Sequence, residues 1–363
     1  MRRCTRCIMP YCYPGIEFDD EGICNFCRNY KNIEYLGAEE LKREILASGK
    51  IRENSKYSCA VGFSGGRDST YLLYFLSVVL KLKVIAFNID NGYLPSVTQD
   101  NIKNITKLLN IDLVIKKFPY LEKCFHNHLK AWLHKPSAAM ISALCIGCRL
   151  GLEKGIYELV QEYDIPVYIE GDTPFEGNQY KTNLIRISEN SRTKSSLVLG
   201  YLSQVSKNIR WISNPYCIFT QTNEYLAFYG LWYTKKLKRK GRSKISPFHK
   251  YIRWEEEKII DVLENKLGWK RNKKTGSTWR GDCDIALLKL YLYKELLGYN
   301  DKDDSLSDLI RDGQISREKA LNRLEGEQFI SERLIRYIVE KNNIDFCYFQ
   351  EIINNIKEKI LVN

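Results

Sequence analysis

The chain has 363 residues, 44% apolar and 28% charged, which is the composition of a packed protein and not of a disordered one. The 56 basic residues outnumber the 44 acidic ones to give a net charge of +12, which favours an anionic partner (nucleotide, nucleotide-sugar, nucleic acid or acidic protein) without choosing among them. Its longest apolar run, Tyr71–Leu80, is too short to span a bilayer, and no apolar stretch that reads as a signal peptide follows Met1. A cytoplasmic protein with no membrane partner and largely reduced cysteines is therefore expected.

In chain order, the first signal is Cys4, Cys7, Cys24 and Cys27, spaced C-x2-C-x16-C-x2-C. Two C-x2-C hairpins present four thiolates to one tetrahedral ion, the spacing of a zinc ribbon. Pro10, Pro14, Gly15 and Gly22 between them suit turns. So short a segment needs metal binding for its folding energy, and four thiolates leave no open position for catalysis, so the zinc would be structural. Cys12, inside the loop, is spare.

Ser58–Phe63 has strand character and runs at once into Ser64-Gly65-Gly66-Arg67-Asp68-Ser69-Thr70, then into the helical stretch Tyr71–Leu82. Strand, glycine loop and helix form a phosphate-binding context. The two glycines let backbone N–H groups converge, the helix adds its positive end, and the hydroxyls of Ser64, Ser69 and Thr70 add donors. The Walker pattern is absent. Lys83–Asp90 reads as a second strand, Ser96–Leu109 as a helix and Ile111–Lys116 as a third strand. Gly151–Tyr163 is helical and Pro166–Glu170 is a fourth strand, ending at Gly171-Asp172. Alternating strands and helices predict an α/β fold, a doubly wound parallel sheet. Its ligand rim lies at the strand ends, near Ser64–Ser69, Asn88–Asp90 and Glu170–Asp172.

Cys145 and Cys148 form another C-x2-C, and Cys283 stands in a polar Gly-Asp-Cys-Asp setting. Two readings stay open: the three hold irons of a [4Fe–4S] cluster, or Cys283 does not meet the pair. Cys59, Cys124, Cys217 and Cys347 read as small apolar fillers. The basic stretch Lys235–Lys244 lacks interleaved aromatics, so a solvated loop is preferred to an RNA-binding patch. Beyond Pro247 the helical segments Ile252–Leu267, Ile285–Leu297, Arg317–Leu324, Glu332–Asn343 and Phe349–Val362 predict a C-terminal unit closing over the rim. Asp301–Ser307 reads as a polar linker, and the last helix as a candidate for self-association into a homodimer. Trp254, Trp269 and Trp279 are core or lid residues, one of which could stack on a sugar. The expected division is residues 1–35, 36–246 and 247–363.

Ser-Gly-Gly-x-Asp-Ser resembles the pyrophosphate loop of the PP-loop ATP pyrophosphatase (HUP-like) superfamily, whose members cleave ATP between the α and β phosphates. Several segments together are similar to the N-acetyl sugar amidotransferases of bacterial surface-polysaccharide synthesis. These are Cys4–Pro10 with Pro14–Cys27, the loop Ser64–Ser69, Cys145–Cys148 with Ile165–Gly171, Tyr251–Trp254 with Leu267–Lys270, and Leu306–Leu321. The resemblance implies ATP and Mg2+ as cofactors beside Zn2+. It implies catalytic roles for Asp68 and Ser69, and nucleotide contacts from Ser64, Gly65, Gly66, Arg67, Asp68, Ser69, Thr70, Asn88, Asp90 and Gly171. The reaction implied is adenylation of an N-acetyl oxygen on a (nucleotide-)sugar, then displacement of AMP by ammonia to give an acetamidino sugar. His126, His128, His134 and His249 form no glutaminase arrangement, so the resemblance implies separate glutaminase- and cyclase-like subunits as the ammonia source. Two departures stand out. Arg67 replaces the commoner Lys, and Gly276–Asp284 carries Cys283 where aromatic and histidine residues are expected. The alternative is a sulfur transferase of the same superfamily, thiolating tRNA or a small molecule, with Cys145, Cys148 and Cys283 on the cluster.

Overall fold

A computed structural model describes residues 2–50, 56–176, 179–185, 194–228 and 233–362. Five strands form one parallel sheet: β1 (Cys59–Gly62), β2 (Val84–Asp90), β3 (Asp112–Lys117), β4 (Val167–Ile169) and β5 (Ser243–Ile245). Their order is β3-β2-β1-β4-β5. The chain winds outward from β1 through β2 to β3, then crosses back to β4, so the winding reverses between β1 and β4. A crevice opens at the carboxyl ends of strands at such a reversal.

Strand periodicity explains why both faces are covered. Val61, Val84, Ala86, Val167 and Ile169 point to one side, into a core shared with Leu72, Leu76 and Ile102. Ala60, Ile85, Phe87 and Tyr168 point to the other, against Ile156, Leu159 and Val160 of the Ile146–Glu162 helix. A sheet buried on both sides needs apolar residues at successive positions, as β1 and β2 have.

Several expectations are revised. The helix after the loop starts at Arg67, runs to Tyr74 and continues as a π turn, Phe75–Val79. The helix expected from Gly151 begins at Ile146, with Cys145 as its N-cap, so the C-x2-C lies on its first turn. The basic stretch is largely solvated, but it is not a loop: it ends the Tyr233–Arg239 helix and enters β5, where Lys244 pairs with Glu170. Cys59, Cys124 and Cys217 are buried, but Cys347 is exposed.

Asp301–Ser307 is not a linker. It is the start of the buried helix Asp301–Arg311, capped by Asn300, whose side chain accepts from Lys302 N while Asp303 returns the bond to Asn300 N. Its acids are buried because each meets a partner: Asp301 meets Lys181 at 2.6 Å, Asp303 meets Arg3 at 2.7 Å, and Asp304 accepts from the Tyr13 hydroxyl at 2.7 Å. The partners come from distant chain segments, which no local pattern reveals. The last helix, Phe346–Val362, buries Phe349 and Ile353 against the Asp284–Leu297 and Glu332–Lys341 helices. Those two apolar side chains are spent within the chain, while Tyr348 stays exposed.

The N-terminal segment does not stand apart. Cys4, Cys7, Met9 and Tyr13 share one core with residues of the C-terminal helices, such as Leu292, Tyr293 and Leu296. No helix among the described residues is long and apolar enough to cross a membrane.

Candidate nucleotide site and cysteine clusters

β1 ends at Gly62, and the chain turns through Ser64–Gly66 into the helix that starts at Arg67. Gly65 has φ +77°, and a Cβ there would lie 2.7 Å from Ile102, so only glycine fits. Hydroxyls shape the turn from inside. Ser69 Oγ accepts from Ser64 N at 3.3 Å and lies 3.1 Å from Ser64 Oγ, while Thr70 Oγ1 donates to Gly66 O at 2.6 Å. Trp269 Nε1 donates to Gly65 O at 3.0 Å and holds the loop from outside.

The arginine in the loop, expected to meet phosphate, lines the cavity there, but its guanidinium is engaged by side chains of the protein. Arg67 is 2% exposed. Its guanidinium donates to both oxygens of Asp68, at 3.0 and 3.2 Å, and to Glu256 Oε1 at 2.8 Å. It lies over the rings of Trp254 and Trp279, 4.6 and 4.2 Å from their centroids. Burial alone would lower its pKa, but Asp68 and Glu256 override this and hold it above its ordinary value. The same bonds tie down Asp68, whose Oδ1 also accepts from Trp254 Nε1 at 2.8 Å. Asp68 and Ser69 are thus engaged in shaping the loop, and all three tryptophans are committed to its support. Of the three, only Trp279 lines the nucleotide cavity.

The loop floors a cavity of about 470 Å³, lined also by Asn88, Gly171, Asp172, Glu176 and Asp282. Asn88 Nδ2 donates to Phe63 O at 2.7 Å, and its buried Oδ1 has no partner among the described residues. Gly171 lets the end of β4 approach the Ser69 backbone, since a Cβ there would lie 3.3 Å from it. Asp90 departs from expectation: it accepts from Gly92 N at 2.9 Å, caps the turn after β2, and is not among the cavity's walls. Asp282 and Glu176 were not anticipated. Asp282 belongs to the segment noted for departing from the resemblance.

Cys145, Cys148 and Cys283 all line this cavity, but among the described residues only the four N-terminal cysteines group closely enough to share one metal ion. Cys148 and Cys283 share a neighbour in Asn91, just past β2. Its Nδ2 lies 3.6 Å from Cys148 Sγ and 3.4 Å from Cys283 Sγ, which bounds the two sulfurs to within the sum of those distances. Asp284 N donates to Tyr93 O at 2.9 Å and fixes the Cys283 segment against that turn. Lys289 Nζ lies 3.2 Å from Cys145 Sγ. Burial, then the neighbouring Cys145, pushes the Cys283 thiol up to about 12. Cys148 is raised by burial first and by Cys145 and Cys283 after it.

The N-terminal four are packed more tightly. The sulfurs of Cys4, Cys7, Cys24 and Cys27 all lie within 4.8 Å of one another and are buried. Backbone N–H groups aim at them: Cys24 N to Cys4 Sγ at 3.2 Å, and Met9 N to Cys7 Sγ at 3.5 Å. Arg311 Nη1 reaches Cys7 Sγ at 3.5 Å. Four converging sulfurs with donors directed at them fit a tetrahedral thiolate site. Arg317 clamps the hairpin from the C-terminal unit, its Nε donating to Cys7 O at 3.0 Å and to Cys4 O at 3.3 Å.

A second cavity of about 1000 Å³ adjoins the first, and Cys145, Arg149, Glu176 and Arg280 line both. Four cations, Arg149, Lys181, Arg280 and Lys289, face two carboxylates, Glu176 and Asp301. Arg280 pairs with Glu176 at 2.8 Å. Burial lowers Lys181 to about 8, partly offset by Asp301.

Residues 287–361 match the profile of a family described as LPS biosynthesis protein WbpG-like, C-terminal domain. A stretch of 110 residues is 33% identical to an uncharacterized protein, MJ1599, of Methanocaldococcus jannaschii; it covers 30% of this chain and 39% of the relative's own length. Among solved structures, NMN synthetase from Francisella tularensis is 16% identical over 79% of this chain and 91% of its own, with a TM-score of 0.37. The U34-tRNA thiolase NcsA from Methanococcus maripaludis with its [4Fe-4S] cluster is 16% identical over 90% and 89%, with a TM-score of 0.34. The profile match thus covers only the C-terminal helices of the chain, and the chain spans less than half the length of the curated relative it matches.

Proposed function

We propose that the chain is an ATP-dependent, AMP- and pyrophosphate-forming amidotransferase that acts on an N-acetylated (nucleotide-)sugar in surface-polysaccharide synthesis. One observation carries the reading: the cavity floored by the phosphate loop and the larger basic cavity share a wall. ATP in the first would present its α-phosphorus to an acceptor in the second, the proximity that group transfer needs. The N–H groups of Gly65, Gly66 and Arg67 and the hydroxyl of Ser64 would receive the departing pyrophosphate. Asn88 Oδ1, buried and unpartnered among the described residues, fits an adenosine N–H donor. Asp172 Oδ1 is likewise buried without a partner there, and suits the magnesium that accompanies ATP.

The amide oxygen attacks the α-phosphorus and pyrophosphate leaves. Ammonia then attacks the imidate carbon, AMP departs with the former amide oxygen, and the product is the acetamidinium. Separate subunits, glutaminase- and cyclase-like, would deliver the ammonia. The N-terminal cysteines would hold a structural zinc ion that ties the hairpin to the C-terminal helices.

The lining of one cavity by Cys145, Cys148 and Cys283 favours a second reading, sulfur transfer to the same adenylate through a cluster on those thiols. Both readings share the adenylate and part at the nucleophile. Radiolabelled pyrophosphate should exchange into ATP only when an N-acetylated sugar acceptor, on a nucleotide or another phosphate carrier, is present. Ammonium chloride at alkaline pH should then yield an acetamidine that mass spectrometry detects. Iron and acid-labile sulfide in protein purified without oxygen, lost in Cys283→Ala, would select sulfur transfer instead. About one zinc per chain and no iron is the outcome expected for amidation.

A further inference from the structure

The mouth of the larger cavity is made of apolar side chains that face water. Leu202, Ile212 and Ile218 line the cavity, yet are 46%, 49% and 45% exposed. They come from three successive helices, Lys194–Ser206, Arg210–Ser213 and Pro215–Phe228, the middle of which packs on the other two. Leu199, Ile209 and Phe219 add exposed apolar surface on the same segments. Six of the fifteen exposed large apolar side chains among the described residues therefore fall between Leu199 and Phe219. Single exposed apolar residues are ordinary, but a cluster around a cavity mouth marks a contact surface.

Charge decides what it contacts. The sequence from Asn190 to Asn223 has no Asp or Glu, while Lys207 and Arg210 stand exposed among the apolar residues. A second copy of the chain would bring cation against cation across a two-fold axis. Exposed apolar side chains with cations among them on the same segments instead suit the headgroup layer of an anionic membrane. The cavity behind has matching polarity. Its inner end, shared with the nucleotide cavity, holds the cations Arg149 and Arg280 with Glu176 paired to the latter, and its outer end is apolar.

The geometry points to an acceptor carried on a lipid phosphate, drawn from an anionic membrane surface on which the Leu199–Phe219 face rests. Its phosphate and sugar would lie at the basic end, and its chain would leave between Leu202, Ile212 and Ile218. The identity of the headgroup as a sugar rests on the function proposed above. The membrane contact and the amphiphile do not.

The test is sedimentation of the full chain with phosphatidylcholine vesicles, with and without phosphatidylglycerol, in the absence of ATP. Binding should require the anionic lipid and weaken with salt. Ile209→Glu with Phe219→Glu lies outside both cavities and should retain the wild-type unfolding midpoint. It should lose about tenfold or more in vesicle affinity, the scale of removing two buried apolar side chains. Calorimetric titration with farnesyl phosphate should show binding that free glucose 1-phosphate does not match, weakened about tenfold by Ile218→Glu. Wild-type protein that ignores anionic vesicles, or a double variant that binds them unchanged, overturns the proposal. So does a double variant that converts a dimer to a monomer, which would assign the face to a second copy. Failure of pyrophosphate exchange while vesicle and farnesyl phosphate binding persist would count against adenylation alone.

Discussion

Replacing Arg67 with Met separates a supporting role for this residue from a phosphate-binding one. Met keeps much of the side chain's volume and removes its charge. Asp68 would keep only Trp254 as a donor, and Glu256 would keep Arg323, at 2.7 Å, and Trp279. Removing one partner of a buried ion pair costs about 3–5 kcal/mol. The two ring contacts add roughly 1–2 kcal/mol each when desolvated. Together these reach about 5–9 kcal/mol, and the partners left to Glu256 pull the net toward the lower end, about 5 kcal/mol. That is a large fraction of a typical stability of about 5–15 kcal/mol. Urea unfolding should therefore show a strongly lowered midpoint, and Arg67→Lys an intermediate one, because an ammonium cannot bridge Asp68 and Glu256 in the same fork. ATP affinity of the folded fraction should fall by much less than the roughly 10- to 100-fold expected from losing a charged hydrogen bond to phosphate. An unchanged midpoint with ATP affinity lost on that scale would refute the argument and return Arg67 to the phosphates.

Gly65→Ala should abolish nucleotide binding at a stability cost of about 1–2 kcal/mol or more, because it adds left-handed strain to a clash with Ile102; ATP titration beside thermal unfolding checks both. Lys302 is fully buried, donates to Ser277 Oγ and Trp279 O, and is lowered by burial to about 7. The unfolded chain then binds more protons between that pH and the ordinary lysine value, so stability should rise with pH across this window and lie flat below it. Lys302→Met should remove the slope in pH-dependent urea melts. Chelation or Cys7→Ser should loosen more than the N-terminal hairpin, since Arg311 and Arg317 join the cysteines to the C-terminal helices. Limited proteolysis should then cut within 317–341, and cuts confined to residues before 36 would contradict the shared core.

Much of the site was legible because its chemistry is local. Ser64–Thr70 must form a loop wherever a strand runs into two glycines and a helix, and Cys4–Cys27 carry their spacing in the chain. Parallel strands β1 to β4 followed from apolar runs of strand length, which only a sheet covered on both faces can bury. The boundary at Cys145 was misjudged because Gly147 and Gly151 weaken the helical pattern where the helix begins. Asp301–Ser307 misled for a deeper reason. Consecutive acids read as a solvated linker unless the partners are known, and those partners, Arg3, Tyr13 and Lys181, are brought in only by the fold.

The sequence by itself determined the motifs: the four-cysteine hairpin, the phosphate loop, and the alternation that winds a parallel sheet around it. Tertiary structure alone decided which way Arg67 points, because Glu256, Trp254 and Trp279 lie far along the chain and form its cage only when the C-terminal segment packs against the loop. It also decided that Cys283 lies with Cys148 beside Asn91, and that two cavities share a wall. Contacts between residues distant in sequence depend on the packing of every element between them, and that information resides in no single stretch of the chain.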